Sequence, residues 1–276
     1  MPDRYAVIGN PIAHSKSPLI HAAFARETGQ DMEYGRILGS RDDFSGDVRR
    51  FFSAGGRGMN VTVPFKEQAC QLADELGAAA EAAAAVNTLT ALDDGRLRGD
   101  NTDGVGLVRD LTENHGFSFR GARVLLLGAG GASRGVIGPL LGTGLAALTI
   151  ANRTAPKALG LAAAAAGRGP VDGCGLDALA GRRFELIVNA TSAGLGGSAP
   201  PIPHDCLVPG GWAYDMLYGD GTSAFRRWGT GHGAGRVLDG LGMLVEQAAE
   251  SFFLWRGVRP STGPVLAQLR GGNPPE

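Results

Sequence analysis

Two hydrophobic rhythms alternate along the chain. Short apolar runs read as buried strands, and stretches with apolar residues three and four apart read as helices. Strands are predicted at residues 5–8, 32–38 and 59–63, with helices at 18–28, 42–53, 66–75 and 78–85. The helix at 18–28 places Leu19, Ile20, Ala23 and Phe24 on one face and stops at Gly29. A loop covers 54–57. Residues 86–92 and 95–98 flank an Asp93-Asp94-Gly95 turn and read as a β-hairpin. A helix over 102–114 ends at Gly116. Beyond Gly121 strands are predicted at 124–127, 148–151, 186–189 and 211–214, alternating with helices and loops. That alternation is the pattern of a doubly wound α/β domain. Residues 194–203 read as a loop. Helices at 241–255 and 264–269 have no strands to pair with, so they are expected to return to the first domain.

The predicted fold is therefore α/β with two domains. Residues 1–103 plus 240–276 form a discontinuous first domain, and residues 104–239 form the doubly wound one. A length of 276 residues accommodates two cores of ordinary size.

One junction carries the most information. The apolar run 124–127 is followed at once by Gly128, Ala129, Gly130, Gly131 and Ala132, and then by a helical pattern through Val136, Ile137, Leu140 and Leu141. Strand, glycine turn and helix in that order make a dinucleotide-binding unit. Gly128 permits the tight turn, and Gly130 lets a pyrophosphate approach the positive end of the helix. The third glycine position of the fingerprint is Ser133. The next strand of such a unit usually ends in an acid that holds the adenosine ribose. Here it ends in Asn152-Arg153-Thr154, with Lys157 just after. A carboxylate repels a 2′-phosphate, whereas Arg and Lys bind one, so the residues favour NADP over NAD.

Composition narrows the class further. A net charge of −1 gives no general attraction to nucleic acid or anionic lipid. There is no run of 18 apolar residues and no basic segment leading into an apolar one at the N-terminus, so a cytoplasmic protein is expected. Cys70, Cys174 and Cys206 are odd in number and widely spaced, which suits reduced thiols. The five histidines show no metal-ligand spacing, and no metal is expected.

Four polar clusters in the first domain exceed what structure alone requires. In His14-Ser15-Lys16-Ser17-Pro18, Ser17 is a natural N-cap and Pro18 a natural first helical residue. Capping does not explain Ser15, and two hydroxyls at a helix start can receive a small carboxylate. In the stretch 60–66, Asn60 and Thr62 share one side of a strand, and Lys66 opens a helix. A cation in a first helical turn opposes the macrodipole, which points to proton transfer rather than stability. The third cluster is Val86-Asn87-Thr88, and the fourth is the stretch 100–104, where Thr102 or Asp103 also fits a helix cap.

Taken together, these motifs closely resemble the shikimate dehydrogenase family. The matching segments are AVIGNPIAHSKSP (6–18), NVTVPFKE (60–67), AVNTL (85–89), GDNTDGVG (99–106), LGAGGASRG (127–135), NRT (152–154), NATSAG (189–194), YDMLY (214–218) and DGLGMLVEQAA (239–249). They span nearly the whole chain and occur in family order. The resemblance implies reversible NADPH-dependent reduction of 3-dehydroshikimate to shikimate, in the pathway to chorismate and the aromatic amino acids. It implies a substrate-binding first domain and a Rossmann-type NADP-binding second one. Ser15 and Ser17 would bind the ring carboxylate, with Asn60, Thr62, Asn87, Asp103, Tyr218 and Gln247 around the ring. Lys66 would be the proton donor and acceptor, with Asp103 beside it. Residues 128–132, Asn152, Arg153, Thr154, Lys157 and Thr191 would hold the nucleotide, with Met216 and Gly240 near the nicotinamide.

The basic cofactor motif of the family often has Arg at position 157. This chain has Lys, which keeps the charge and loses the planar fork. Two alternatives stay open at the level of sequence. One is a quinate/shikimate dehydrogenase of broader range, since no residue excludes the extra hydroxyl of quinate. The other is a non-catalytic NADP-binding module, against which Lys66 and Asp103 speak. A monomer or a homodimer is expected.

Overall fold

The computed structural model describes residues 1–191, 199–219 and 223–271. The part of the expected 194–203 loop at 194–198, and with it the end of the NATSAG segment, lies outside the described residues. The chain divides into two compact units, Met1–Gly106 with Leu244–Glu276, and Leu107–Met243.

The first unit is built on a mixed sheet. Its strands are β1 (Asp3–Gly9), β2 (Met32–Leu38), β3 (Gly56–Val61), β4 (Glu75–Leu76), β5 (Thr88–Ala91) and β6 (Leu97–Asp100), in the order β2-β1-β3-β5-β6-β4. The pairs β1–β2 and β1–β3 are parallel, and β5 runs antiparallel to both β3 and β6. β1 is buried without interruption from Tyr5 to Gly9, as suits a parallel strand covered on both faces. Between the strands run α1 (Ser17–Thr28), α2 (Phe44–Ser53), α3 (Lys66–Leu72) and α4 (Ala78–Ala83), and α5 (Asp103–Arg109) follows β6. Strand ends and helix starts differ from the sequence reading by a few residues. β3 begins inside the expected 54–57 loop and ends before Thr62, although the Thr62 N–H still reaches the Ile8 carbonyl at 2.9 Å. Leu19 stands 59% exposed, off the buried face of α1 that carries Ile20 and Phe24.

Ser17 is not the cap of α1. Lys16 already has helical backbone angles, so Ser17 is the first helical residue and Pro18 the second. The Ser15 hydroxyl accepts the Ser17 N–H at 3.3 Å, which gives Ser15 the role the sequence assigned to its neighbour.

The second unit is a parallel sheet of β7 (Arg123–Leu127), β8 (Ala147–Asn152), β9 (Val171–Gly175), β10 (Phe184–Asn189), β11 (Leu207–Asp215) and β12 (Arg236–Asp239). The order β12-β11-β10-β7-β8-β9, with every pair parallel, is the doubly wound arrangement. Its helices are α6 (Gly131–Leu141), α7 (Ala155–Ala164) and α8 (Ala224–Gly231). The expected 102–114 helix is α5 followed by a π-turn at Asp110–Asn114. In that turn the buried Asp110 carboxylate accepts from the Tyr214 hydroxyl at 2.6 Å and the Asn114 amide at 3.0 Å.

Two further helices, α9 (Leu241–Arg256) and α10 (Gly263–Leu269), complete the chain, and from Leu244 onward they belong to the first unit. There Val245, Ala248, Ala249, Phe252 and Val265 pack with Ile20, Phe24 and Ala25 of α1. His21 lies in the same packing, fully buried, stacked on Tyr34 with ring centroids 4.2 Å apart and edge-on to Phe24. Neither of its ring nitrogens makes a hydrogen bond of good geometry among the described residues, although the Asn60 amide lies near. Burial pushes its pKa down to about 3, with the Asn60 amide opposing.

That burial sets a pH dependence. The folded pKa lies below the unfolded value of 6.5, so the unfolded chain takes the proton first and stability falls as pH drops from 6.5 towards 3. His21→Phe should flatten this part of the stability curve by up to about 1.4 kcal/mol per pH unit. Urea unfolding of both proteins between pH 7 and 4 checks it. Parallel curves would show that His21 is protonated without penalty.

Candidate active site and dinucleotide site

In the first unit the polar clusters converge on one buried amide. Asn87 precedes β5 and is 3% exposed. Its Nδ2 donates to Asp103 Oδ1 and Thr102 Oγ1, each at 2.9 Å, and faces Gln247 Oε1 at 3.2 Å. Its Oδ1 accepts from the Thr102 N–H and the Thr88 hydroxyl, each at 2.9 Å. Asp103 opens α5, where a carboxylate suits the positive end of the helix, and its N–H is capped by Asn101 Oδ1 at 3.1 Å. Its second oxygen, Oδ2, lies 2.5 Å from Lys66 Nζ.

Lys66 is the first residue of α3, as its sequence position suggested. Its side chain is 16% exposed and that of Asp103 7%, so the ion pair is largely withdrawn from water. An amine and a carboxylate in this state, next to hydroxyls and amides, can hold and move a proton.

Asn60 lies beside this group and is 6% exposed. Its Oδ1 accepts from the Tyr34 hydroxyl at 2.7 Å, and its Nδ2 faces Ser251 Oγ at 3.0 Å and the Asn87 carbonyl at 3.2 Å. Ser251 on α9 also meets Thr88 Oγ1 at 2.8 Å and Thr102 Oγ1 at 3.2 Å. Ser17 is buried, Ser15 half-buried, and the Arg36 guanidinium donates to the Ser15 carbonyl at 2.6 Å. Burial raises the Tyr34 phenol well above its ordinary pKa, with a bond to Ser17 opposing. Thr62 is half-buried.

Tyr34, Arg36 and Ser251 did not emerge from the sequence, whereas Thr88 did, within the Val86-Asn87-Thr88 cluster. Tyr34 and Arg36 share one face of β2, a period-two signal that was there to find. Ser251 left no such signal, because its side-chain partners Thr102, Thr88 and Asn60 lie 149 to 191 residues away. Tyr218 lies on the second unit, beyond β11, 38% exposed.

In the second unit, Gly128 follows β7 with φ +108, a conformation that favours glycine. A Cβ built on it would also lie 3.1 Å from Thr191 and 3.2 Å from the Ala190 carbonyl beyond β10. β7 and β10 are the strands between which the sheet order reverses, the crevice where open α/β sheets take ligands. A Cβ on Gly130 or Gly131 would meet nothing within 4 Å, so the turn leaves open space before the eleven-residue helix α6. Ser133 is fully buried in the first turn of that helix. At the end of β8, Arg153, Thr154 and Lys157 are exposed, and Arg153 and Lys157 form no ion pair with any described residue. These features fit a dinucleotide carrying a 2′-phosphate: room for the pyrophosphate at the helix N-terminus, and unspent cations where a ribose acid would otherwise stand. Met216 and Gly240 come together beyond β11 and β12, where a Cβ on Gly240 would lie 2.2 Å from the Met216 carbonyl. Among the described residues there is no cluster suited to a metal ion.

A doubly wound unit with this turn, in one chain with a buried lysine–carboxylate pair, defines a dinucleotide-dependent oxidoreductase. Residues 7–89 match the shikimate dehydrogenase substrate binding domain, residues 110–194 match shikimate / quinate 5-dehydrogenase, and residues 240–270 match the shikimate 5′-dehydrogenase C-terminal domain. The chain is 57% identical to the shikimate dehydrogenase (NADP(+)) of Thioalkalivibrio sulfidiphilus, over 99% of this chain and 100% of that one. A crystal structure of an enzyme from Pseudomonas putida matches with a TM-score of 0.89 at 49% identity, covering 99% of this chain and all of the other. The shikimate 5-dehydrogenase of Thermus thermophilus, solved with NADP(H) and shikimate, matches with a TM-score of 0.86 at 34% identity, covering 98% and 99%. The chain belongs to the shikimate dehydrogenase family.

Two outcomes are expected from the geometry of the first unit. Lys66→Ala should lower the turnover number by about 10²–10⁴ while substrate affinity falls much less. Asp103→Asn should reduce both, and the double variant should be little worse than Lys66→Ala, because the pair acts as one group. Steady-state kinetics across pH test this, and near-normal turnover in Lys66→Ala would place the proton elsewhere. Ser15→Ala should raise the Michaelis constant for shikimate. It should also cost roughly 0.5–1 kcal/mol of stability, since Ser15 rather than Ser17 satisfies the helix N–H. An unaltered Michaelis constant would remove Ser15 from the carboxylate site.

Proposed function

We propose that the chain interconverts 3-dehydroshikimate and shikimate with NADP(H), as an oxidoreductase of the shikimate pathway acting in the cytoplasm. The observation that carries this is the buried Lys66–Asp103 pair joined to Asn87, Thr102 and Gln247. A polyhydroxylated ring needs several small neutral partners, and a carbonyl becoming an alcohol needs one proton at one oxygen. This cluster supplies both. The family resemblance adds the roles of the residues around it.

In this reading residues 1–103 with 240–276 bind substrate, and residues 104–239 take the nucleotide. Ser15 and Ser17 bind the ring carboxylate. Asn60, Thr62, Asn87, Asp103 and Gln247 surround the ring. In the direction of reduction, Lys66 Nζ gives its proton to the carbonyl oxygen, and in the reverse direction it takes the hydroxyl proton. Asp103 holds the ammonium and accepts from a ring hydroxyl. NADPH, when bound, supplies the hydride. Residues 128–132 would cradle its pyrophosphate, and Asn152, Arg153, Thr154 and Lys157 its adenosine 2′-phosphate. Thr191 would also hold the nucleotide, and Met216 and Gly240 would border its nicotinamide.

The cofactor assignment has its own test. Arg153→Ala removes a charge-assisted contact to the 2′-phosphate, so the Michaelis constant for NADP should rise about 10–100-fold. The slow rate with NAD should stay within about twofold. Initial rates with shikimate and with quinate, each with both nucleotides, measure this and the substrate range together. Equal losses with NADP and NAD would make Arg153 a structural residue, and equal rates on quinate would widen the substrate class.

A further inference from the structure

The YDMLY segment contains an acid that the proposed chemistry does not use. Asp215 is the last residue of β11 and is fully buried. No cationic side chain among the described residues pairs with it. Its Oδ1 accepts from the Asn189 side-chain amide at 3.0 Å and the Leu217 N–H at 3.2 Å, and its Oδ2 accepts from the Ser223 hydroxyl. A buried carboxylate is costly unless its surroundings satisfy it, and an apolar residue would suit the end of a core strand better.

Its donors all lie on the segments that leave the sheet beside the nicotinamide half of the proposed site. Asn189 is the last residue of β10, also fully buried. Held by Asp215 through its NH2, it presents Oδ1 to the Thr191 N–H at 3.1 Å and the Thr191 hydroxyl at 2.7 Å. Its backbone carbonyl accepts the Met216 N–H at 2.9 Å. The Leu217 carbonyl accepts the Gly240 N–H at 3.1 Å. Ser223 caps α8 by accepting the Arg226 N–H at 3.1 Å. Thr191, Met216 and Gly240 are thus each hydrogen-bonded to a residue that the carboxylate holds, Asn189 or Leu217.

We propose that Asp215 is a positioning residue for hydride transfer: it sets the nicotinamide-side wall through Asn189, Leu217 and Ser223. This rests on the reading that Met216, Thr191 and Gly240 border the cofactor. Displacements of about 1 Å at such a wall cost on the order of 10² in rate.

The test compares Asp215→Ala, Asp215→Asn, Ser223→Ala and Met216→Ala. The readouts are kcat, the Michaelis constant for NADP, melting temperature, and affinity for adenosine 2′,5′-bisphosphate, which lacks the nicotinamide half. Asp215→Ala should lower kcat about 10–100-fold and raise the Michaelis constant for NADP. Its affinity for the bisphosphate should stay within about twofold. Asp215→Asn keeps an acceptor for Asn189 and Leu217 and should recover most of kcat. Ser223→Ala, which removes one donor, should fold and show a smaller loss of kcat. Unchanged kcat in both Asp215→Ala and Ser223→Ala overturns the proposal. So does a fall in bisphosphate affinity as large as that in NADP affinity, which would make Asp215 a general support of the unit. If Asp215→Ala does not fold, Ser223→Ala decides: unchanged kcat, or a bisphosphate affinity that falls as far as that for NADP, overturns the proposal. Normal NADP kinetics in Met216→Ala would instead remove the reading of the wall itself.

Discussion

The first unit depends on satisfying one buried amide. Asn87 has two donor hydrogens and an acceptor oxygen with nowhere to send them but inward, and a buried polar group left unpaired costs about 1–3 kcal/mol. Its partners come from the Thr102–Asp103 turn, from Thr88 and from α9. Meeting that demand fixes where α5 starts, and hence where the Asp103 carboxylate lies relative to Lys66. The amide thus orients the ion pair without carrying charge. Such networks are stiff when complete, and the described bonds leave Asn87 complete.

The second unit solves a different problem with similar means. Its six parallel strands pair through their backbones, and two of its buried polar side chains, Asn189 and Asp215, are the last residues of β10 and β11. Gly128 and Ala190 lie close together where the sheet order reverses, while Asp215 and Asn189 secure the neighbouring exits. Open space before α6 and the exposed cations Arg153 and Lys157 after β8 lie in the same unit. The glycine turn is the part most exposed to sequence reading, and the carboxylate that orders the other exits is the part least exposed to it.

Legibility followed how local each cause was. The strand β7 and helix α6 stand out because an apolar run, a glycine turn and a helical pattern are contiguous. β9 went unread because Val171–Gly175 carries glycines where a strand wants side chains. The structure gives the reason: a Cβ on Gly173 would lie 2.6 Å from the Ala158 carbonyl of α7, so close packing removed the signal. β4 is two residues long, too short for any period. Ser17 was read as a cap because serine favours that position, but the helical backbone of Lys16 moves the helix start back. At the site, the residue types in the polar clusters were visible, while their convergence was not. Whether Asp103 caps a helix or faces a lysine is a matter of tertiary contact: it opens α5 with its N–H held by Asn101, and its carboxylate faces Lys66.

The order of elements along the chain bears on how the protein is made. Ser251 reaches Asn60 across 191 residues, so the substrate unit cannot close its polar network until the whole second unit has left the ribosome. An open loop of that length carries an entropic cost that grows with the logarithm of its size. The second unit relieves it, because its own first and last residues, Leu107 and Met243, belong to one hydrophobic cluster. Once folded, it holds its own two ends in one cluster, and the segments that flank it start from there. The nascent chain would therefore fold from the inside out, with the inserted unit serving as template for the completion of the unit that encloses it in sequence.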